Sequence, residues 1–504
     1  MSESLPRVLL LRLSGEIGIK AKATRGRFEA QLLRNLGDAL RSEGIPAPIS
    51  RTRSRIFVPS DDPRAPEILA RVFGVQSLSV ARVQLAEKLE SVVETGRALF
   101  RDAVARRRFA VRARRVGDRS KIRLSTRDIE RELGTALLPG SAGVDLEDPE
   151  FVARVELHEG QAYFCTESWP GPAGLPLDVQ GHALSLLSGG FDSAVASWQL
   201  LRRGVRIDYL FCNLGGRAHQ QGTLRVAKVL ADRWSYGGRP QLYALDFDAV
   251  AAEIRAQTRT RYWQVLLKRQ MLRAAEQVGR SVAAGSGRGV DALITGEVVG
   301  QVSSQTLPNL ATISQATALP ILRPLVGMNK DDIIRAAERI GSAPISAILD
   351  EYCAMAPTRP ATTSSVAAVQ AEETRLDPAV LQRALETRQT FDLRALDLDA
   401  MTLPELAIDG IPDDATVLDL RPRAAYAAWH WPGALSLDLD HALAALPALP
   451  RDRRYVLYCE FGLKSEHLAE RMRREGLEAW NFRGGLKGLI ALARTQGRPT
   501  PELG

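Results

Sequence analysis

From Ala183 onward the chain repeats a rhythm that permits few folds. A strand at Ala183–Leu187 is followed by a helix at Ala194–Arg203, a strand at Arg206–Phe211, a helix at Thr223–Arg233 and a strand at Gln241–Leu245. A long helix (Gln264–Val278), a strand (Ala292–Thr295) and a helix (Lys330–Ile340) continue it. Alternating β and α elements predict a parallel sheet covered on both faces by helices.

The first strand of that series runs into Ser188-Gly-Gly-Phe-Asp-Ser193 and then into a helix with Ala194, Trp198 and Leu201 on one apolar face. Gly189 and Gly190 let the backbone fold tightly, so successive N–H groups can point at an anion beside a helix N-terminus. The hydroxyls of Ser188 and Ser193 add hydrogen-bonding capacity, and Asp192 is placed to hold a magnesium ion against phosphates. No Gly-Lys-Ser/Thr follows, so this is not a Walker A loop. The arrangement suits release of pyrophosphate rather than transfer of a γ-phosphoryl group.

The 504 residues exceed what one hydrophobic core serves, which predicts three or four domains. No apolar run approaches the ~18 residues of a membrane span. Val8–Leu11 is bounded by Arg7 and Arg12, which reads as a strand rather than a signal peptide and makes the cytoplasm the expected compartment, away from membranes. The four cysteines (Cys165, Cys212, Cys353, Cys459) form no C-x-x-C and have no histidine at zinc spacing, so no metal site is expected from them.

The net charge of +8 is concentrated: Arg101–Arg131 holds 12 Lys/Arg against 4 Asp/Glu, which equals the surplus of the whole chain. Such a localised basic surface points to a polyanionic partner, most simply a nucleic acid. Within it, Phe109–Arg115 reads as a strand whose period of two puts Arg112 and Arg114 on one face and Phe109, Val111 and Ala113 on the other. Upstream, a strand (Val8–Leu13), a basic loop (Gly15–Arg27, with Lys20, Lys22, Arg25 and Arg27) and a helix (Phe28–Leu40) form a small α+β module. The arginines of the strand, with Lys20 and Arg25, are the candidate phosphate contacts.

The C-terminal unit carries Val417-Leu-Asp-Leu-Arg421, His430-Trp-Pro-Gly-Ala434 and a strand at Tyr455–Tyr458 that enters Cys459-Glu-Phe-Gly-Leu-Lys-Ser465. A cysteine that ends a strand and opens a glycine-containing loop ahead of a helix sits where N–H groups and the helix dipole favour a thiolate or a bound persulfide. This unit resembles a single rhodanese domain with its catalytic cysteine at Cys459. Lys464 occupies the loop position often held by Arg in active rhodaneses. Lysine keeps the charge but loses the bidentate fork, which favours a persulfide carrier over a free-standing thiosulfate sulfurtransferase.

Ser188–Ser193 resembles the signature of the PP-loop ATP pyrophosphatases. Phe211-Cys-Asn-Leu-Gly-Gly-Arg-Ala-His219, Leu293-Ile-Thr-Gly-Glu-Val-Val-Gly-Gln-Val-Ser-Ser-Gln-Thr-Leu307, Leu322-Arg-Pro-Leu325 and Glu351-Tyr-Cys353 narrow the resemblance to the tRNA 4-thiouridine synthetase (tRNA sulfurtransferase) family, across essentially the whole chain. The resemblance implies a multidomain α/β and α+β chain: a ferredoxin-like module (1–60), an RNA-binding THUMP domain (61–170), a PP-loop parallel-sheet domain (176–360), a linker (361–400) and a rhodanese domain (401–498). It implies ATP contacts at Leu186, Leu187, Phe211, Cys212, Lys268, Gly296 and Gln305, and roles for Asp192 and Lys330 in activating uridine. Cys353 becomes the second functional cysteine, with sulfur passing directly from Cys459 or as sulfide released by Cys353. The implied partners are tRNA, a cysteine desulfurase as persulfide donor and a disulfide reductant; a homodimer stays open. Some family members instead carry sulfur for thiamine thiazole synthesis, and this alternative stays open too.

Overall fold

The structure, a computed structural model, describes residues 5–52, 55–117, 123–214, 216–286, 289–347, 349, 359–398, 406–460 and 462–500. Cys353, with Glu351 and Tyr352, lies outside the described residues. The chain divides into two compact units, one built mainly from residues 1–181 and the other mainly from 182–504.

The first unit is organised on an eight-stranded sheet among the described residues. Its third strand is Arg7–Leu13, whose Val8, Leu9, Leu10 and Leu11 are buried. It pairs antiparallel with Ile56–Pro59 on one side and Val75–Leu85 on the other. Val75–Leu85 in turn pairs antiparallel with Gln161–Pro170, so one continuous sheet carries both the N-terminal module and the basic segment.

The expected basic loop Gly15–Arg27 is corrected. It contains a short helix at Gly15–Gly18, and a 21-residue helix starts at Lys22. No proline interrupts Lys22-Ala-Thr-Arg-Gly-Arg27, and alanine, lysine and arginine are good helix formers, so the helix extends well before its apolar face begins at Phe28. Phe28, Leu32, Leu36 and Ala39 then bury one side of it.

In the basic half, helices Leu89–Val104 and Thr126–Leu137 pack closely. A Cβ on Gly96 would lie 2.8 Å from a Leu133 methyl, so glycine permits the approach. Strand Arg108–Val116 pairs in parallel with Phe151–His158. Its Phe109 and Val111 are buried while Arg112 and Arg114 are exposed, as the period of two requires; buried Ala110 and exposed Arg115 depart from the alternation.

The second unit holds a six-stranded sheet in the order 321–322, 292–294, 182–186, 206–213, 241–246, 389–392. Among the described residues the strand pairs are parallel except at the last edge, where Gln389–Asp392 runs antiparallel to Gln241–Asp246. The segment expected to be a connector (361–400) therefore supplies an edge strand, preceded by helices Val366–Glu373 and Pro378–Glu386. Its carboxylates find partners distant in sequence. Glu373 takes a two-pronged contact from the fully buried Arg269 (2.8 Å to each oxygen), and Glu372 bonds Arg259.

The last sheet has five strands in the order 407–408, 478–482, 454–458, 416–419, 435–436, all paired in parallel. Leu457 and Cys459 belong to one apolar cluster with Leu468 and Met472, and Val456 and Tyr458 to another with Phe482 and Leu489. No helix among the described residues is long and apolar enough to cross a membrane.

Candidate nucleotide and sulfur sites

The loop Ser188–Ser193 connects strand His182–Leu186 to helix Phe191–Leu201. Its two serines shape the loop itself: the Ser188 N–H donates to Ser193 Oγ at 3.1 Å, and the two hydroxyls lie 3.2 Å apart. Gly189 has φ +81°, a left-handed conformation that suits glycine, and its carbonyl accepts from Ser346 Oγ at 2.8 Å. Leu187 and Phe211 are buried near the C-terminal ends of adjacent strands, joined by the Leu187 N–H to Leu210 carbonyl bond of 2.9 Å. Ligands in open α/β sheets bind outside these strand ends.

A second segment, 295–305, closes against the loop. A Cβ on Gly296 would lie 2.7 Å from the Asp192 carbonyl carbon and 2.8 Å from the Ser193 nitrogen, so only glycine fits without a shift of backbone. Gln301 Nε2 donates to one oxygen of Asp192 at 2.9 Å, and Lys330 Nζ donates to the other at 2.8 Å. Lys330 heads helix Lys330–Ile340 and also lies 5.7 Å from the centre of the Phe191 ring. Gln305 accepts from the Val298 N–H at 3.3 Å and so braces the same segment.

Lys268, an expected ATP contact, is paired with buried Glu297 at 3.0 Å. Arg323 Nε reaches the other Glu297 oxygen at 2.6 Å, and Thr295 Oγ1 donates to it at 3.1 Å. Burial alone would push the Glu297 carboxyl up, but the Lys268 and Arg323 charges hold it below its ordinary range. Lys268 thus belongs to a two-cation, one-carboxylate cluster with a net positive charge. Cys212 is half-buried, and desolvation pushes its thiol up.

Several participants escaped the sequence reading: Gln301, Glu297, Arg323, Ser346 and His219. His219 donates from Nε2 to the Ser188 carbonyl at 3.0 Å and stands edge-on to Phe211, with ring centres 4.9 Å apart. Burial holds its imidazole below the usual value, against the pull of the Ser188 carbonyl. Gln301 and Lys330 are 109 and 138 residues from Asp192, so no local pattern could pair them.

Magnesium accompanying a nucleotide commonly takes one or two protein carboxylates, the rest being phosphate and water. Asp192 offers one carboxylate whose oxygens each keep a further lone pair, so the residues fit such an ion.

In the C-terminal sheet, Cys459 follows strand Arg454–Tyr458 and is 2% exposed. Ser465 Oγ lies 3.4 Å from its sulfur and 2.7 Å from Asn481 Oδ1, so one hydroxyl proton serves two acceptors. Gly462 (φ +82°) caps the helix Leu463–Arg474. Gly485 (φ +55°) lets the next helix approach, since a Cβ there would lie 2.9 Å from the Cys459 carbonyl oxygen. Beneath the loop, Arg421 forms a buried pair with Asp419 at 2.7 Å, and Tyr458 donates to the same carboxylate at 2.6 Å.

The candidate phosphate contacts of the first unit fall into two groups. Lys20, Arg112 and Arg114 are exposed, Arg112 also donating to the Leu146 carbonyl at 2.6 Å. Arg25 is corrected to a helical residue paired with Glu29 at 2.7 Å, a carboxylate that Arg51 also contacts. Part of its charge is therefore answered within the unit.

Comparison with known proteins agrees with this assembly. Residues 8–79 match the ThiI ferredoxin-like domain, 86–167 the THUMP domain, 178–377 the family described as Thiamine biosynthesis protein (ThiI), and 403–491 the rhodanese-like domain. The tRNA sulfurtransferase of Pyrobaculum aerophilum is 38% identical over 94% of this chain and 96% of its own. That of Thermoplasma acidophilum is 32% identical over 92% of each. A solved 4-thiouridine synthetase–RNA complex with bound ATP is 29% identical, with a TM-score of 0.67, covering 77% of this chain and 99% of that one.

Fold and loops together define a PP-loop α/β protein that also carries ferredoxin-like, THUMP and rhodanese modules. The chain belongs to the tRNA sulfurtransferase family.

Proposed function

We propose that this protein uses ATP to adenylate uridine 8 of tRNA and replaces the C4 oxygen with persulfide-derived sulfur, giving 4-thiouridine. The observation that carries the reading is the presence, in one chain, of a glycine loop closed by Gly296 and a strand-end cysteine loop at Cys459. The tRNA sulfurtransferase names of the relatives support tRNA as substrate, and the RNA and ATP of the solved neighbour support both ligands.

The uracil C4 oxygen is a poor leaving group. It attacks the α-phosphorus of ATP, pyrophosphate departs, and an O4-adenylate forms. Backbone N–H groups of Ser188–Ser193 bind the phosphates, and the Lys268–Arg323–Glu297 cluster adds positive field. Lys330 moves its ammonium between Asp192 and the charge that develops on the transferring group. Magnesium bound with the nucleotide, held by Asp192, supplies further neutralisation of phosphate charge.

A cysteine desulfurase loads Cys459 as a persulfide. Its terminal sulfur attacks C4 and AMP leaves with the original oxygen. Cys353 thiolate then attacks the Cys459 sulfur, breaks the S–S bond, frees the thiocarbonyl product and leaves a Cys353–Cys459 disulfide. A two-electron reductant restores both thiols. Release of sulfide by Cys353 before attack on C4 reaches the same products. The exposed Lys20, Arg112 and Arg114 serve the tRNA backbone.

The test separates the halves. Cys459→Ala is expected to release pyrophosphate with tRNA and ATP yet form no 4-thiouridine, and thiolation by it at the wild-type rate overturns the assignment. A second reading, supported by the family description, is sulfur carriage to thiamine thiazole synthesis. Asp192→Ala distinguishes the two, because only tRNA thiolation depends on that carboxylate.

A further inference from the structure

The helix Gly216–Trp234 follows the second strand of the nucleotide-binding sheet and touches more than the phosphate loop. Two residues after His219, whose ring holds the Ser188 carbonyl, Gln221 Nε2 donates to Glu466 Oε1 at 3.0 Å. Gln221 is 7% exposed and Glu466 is 3% exposed. A buried carboxylate that accepts an amide N–H across 245 residues of sequence is a specific joint, since each group would be costly to bury without a partner. Glu466 is in the first turn of the helix Leu463–Arg474, directly after Ser465, whose hydroxyl contacts the Cys459 sulfur.

We propose that Gln221 and Glu466 form a docking bridge that seats the rhodanese helix on the nucleotide-binding domain, and that this bridge positions Cys459 for sulfur delivery. The proposal rests on the function proposed above and adds to it the contact through which one domain reaches the other. Gln221 and Glu466 are positioning residues and touch neither nucleotide nor sulfur. Glu466 bears on the sulfur through its neighbour Ser465, and Gln221 anchors the other side of the bridge on the helix Gly216–Trp234.

The experiment uses the full chain with Cys459 loaded as persulfide. Gln221→Glu sets two carboxylates face to face in a buried contact. It is expected to slow 4-thiouridine formation in a single turnover by about ten-fold or more, the scale on which small misplacements act. Pyrophosphate release with tRNA stays near wild type. The double variant Gln221→Glu/Glu466→Gln exchanges donor and acceptor, and it regains most of the lost rate. Wild-type sulfur transfer by Gln221→Glu, or a double variant no faster than Gln221→Glu, overturns the proposal.

Hydrogen exchange provides a readout independent of the chemistry. Residues 216–234 and 463–474 should both exchange faster in Gln221→Glu and return in the double variant. If the wild type releases no pyrophosphate with tRNA, the functional reading fails, and exchange alone judges the bridge. Unchanged exchange in both helices then sinks it.

Discussion

At the scale of single residues, Gly296 shows how a position can matter through what it lacks. Its Cα packs on the backbone between Asp192 and Ser193, so any side chain must push the segment 295–305 away from the phosphate loop. Gly296→Ala is expected to keep the fold and to lower kcat/KM for ATP by about ten- to a hundred-fold, as a shift approaching 1 Å would. Pyrophosphate-release kinetics check it, and a wild-type constant would show that the segment gives way freely. The glycine-rich loop and Cys459 were legible in the sequence because each is a contiguous run in strand–loop–helix context. The pairings were not. Asp192 was assigned to magnesium from its place in the loop and Lys268 to ATP through resemblance, while Gln301, Lys330, Glu297 and Arg323 arrive from loops and helices far along the chain. Cys353 was reached only through resemblance, and it lies outside the described residues.

Among elements, the strands and helices with clean periodicity were read well, and the errors have physical causes. The helix Lys22–Ser42 was cut short because its first turns carry basic rather than apolar residues. Strand Val75–Leu85, the seam of the first sheet, was missed: it is buried at Leu78, Val80 and also Ser79 and Ala81, so it shows no simple alternation. That sheet also holds a buried charge centre. Glu156 on strand Phe151–His158 contacts Arg12 and accepts from Arg55 Nε at 2.9 Å. Burial would raise the Glu156 carboxyl, but the two arginines hold it below its usual range. A carboxyl with a depressed folded pKa stabilises above its unfolded value, and that contribution is lost as pH falls through the folded one. Glu156→Gln should therefore cost about 3 kcal/mol near neutrality, because two cations lose their partner. Below the ordinary carboxylate range its melting temperature should converge on the wild-type value. Parallel melting curves with no convergence in acid would place the stabilisation elsewhere.

On the scale of the whole molecule, sequence and chemistry divide along the chain. Basic surplus is concentrated in Arg101–Arg131, the adenylating loop follows at Ser188–Ser193, and the sulfur loop comes last at Cys459. The order was readable because charge, glycine loops and a strand-end cysteine are local signals. What joins the last two was not readable, since Gln221 and Glu466 are ordinary polar residues until the fold buries them against each other. The central claim is that one chain couples ATP cleavage to sulfur insertion in tRNA. The most direct measurement is nucleoside analysis of unmodified tRNA incubated with this protein, ATP, magnesium, cysteine with a cysteine desulfurase, and a thiol reductant. 4-Thiouridine is expected at position 8, and none when ATP is omitted. Uridine left unchanged with every component present, or 4-thiouridine formed equally without ATP, would contradict it.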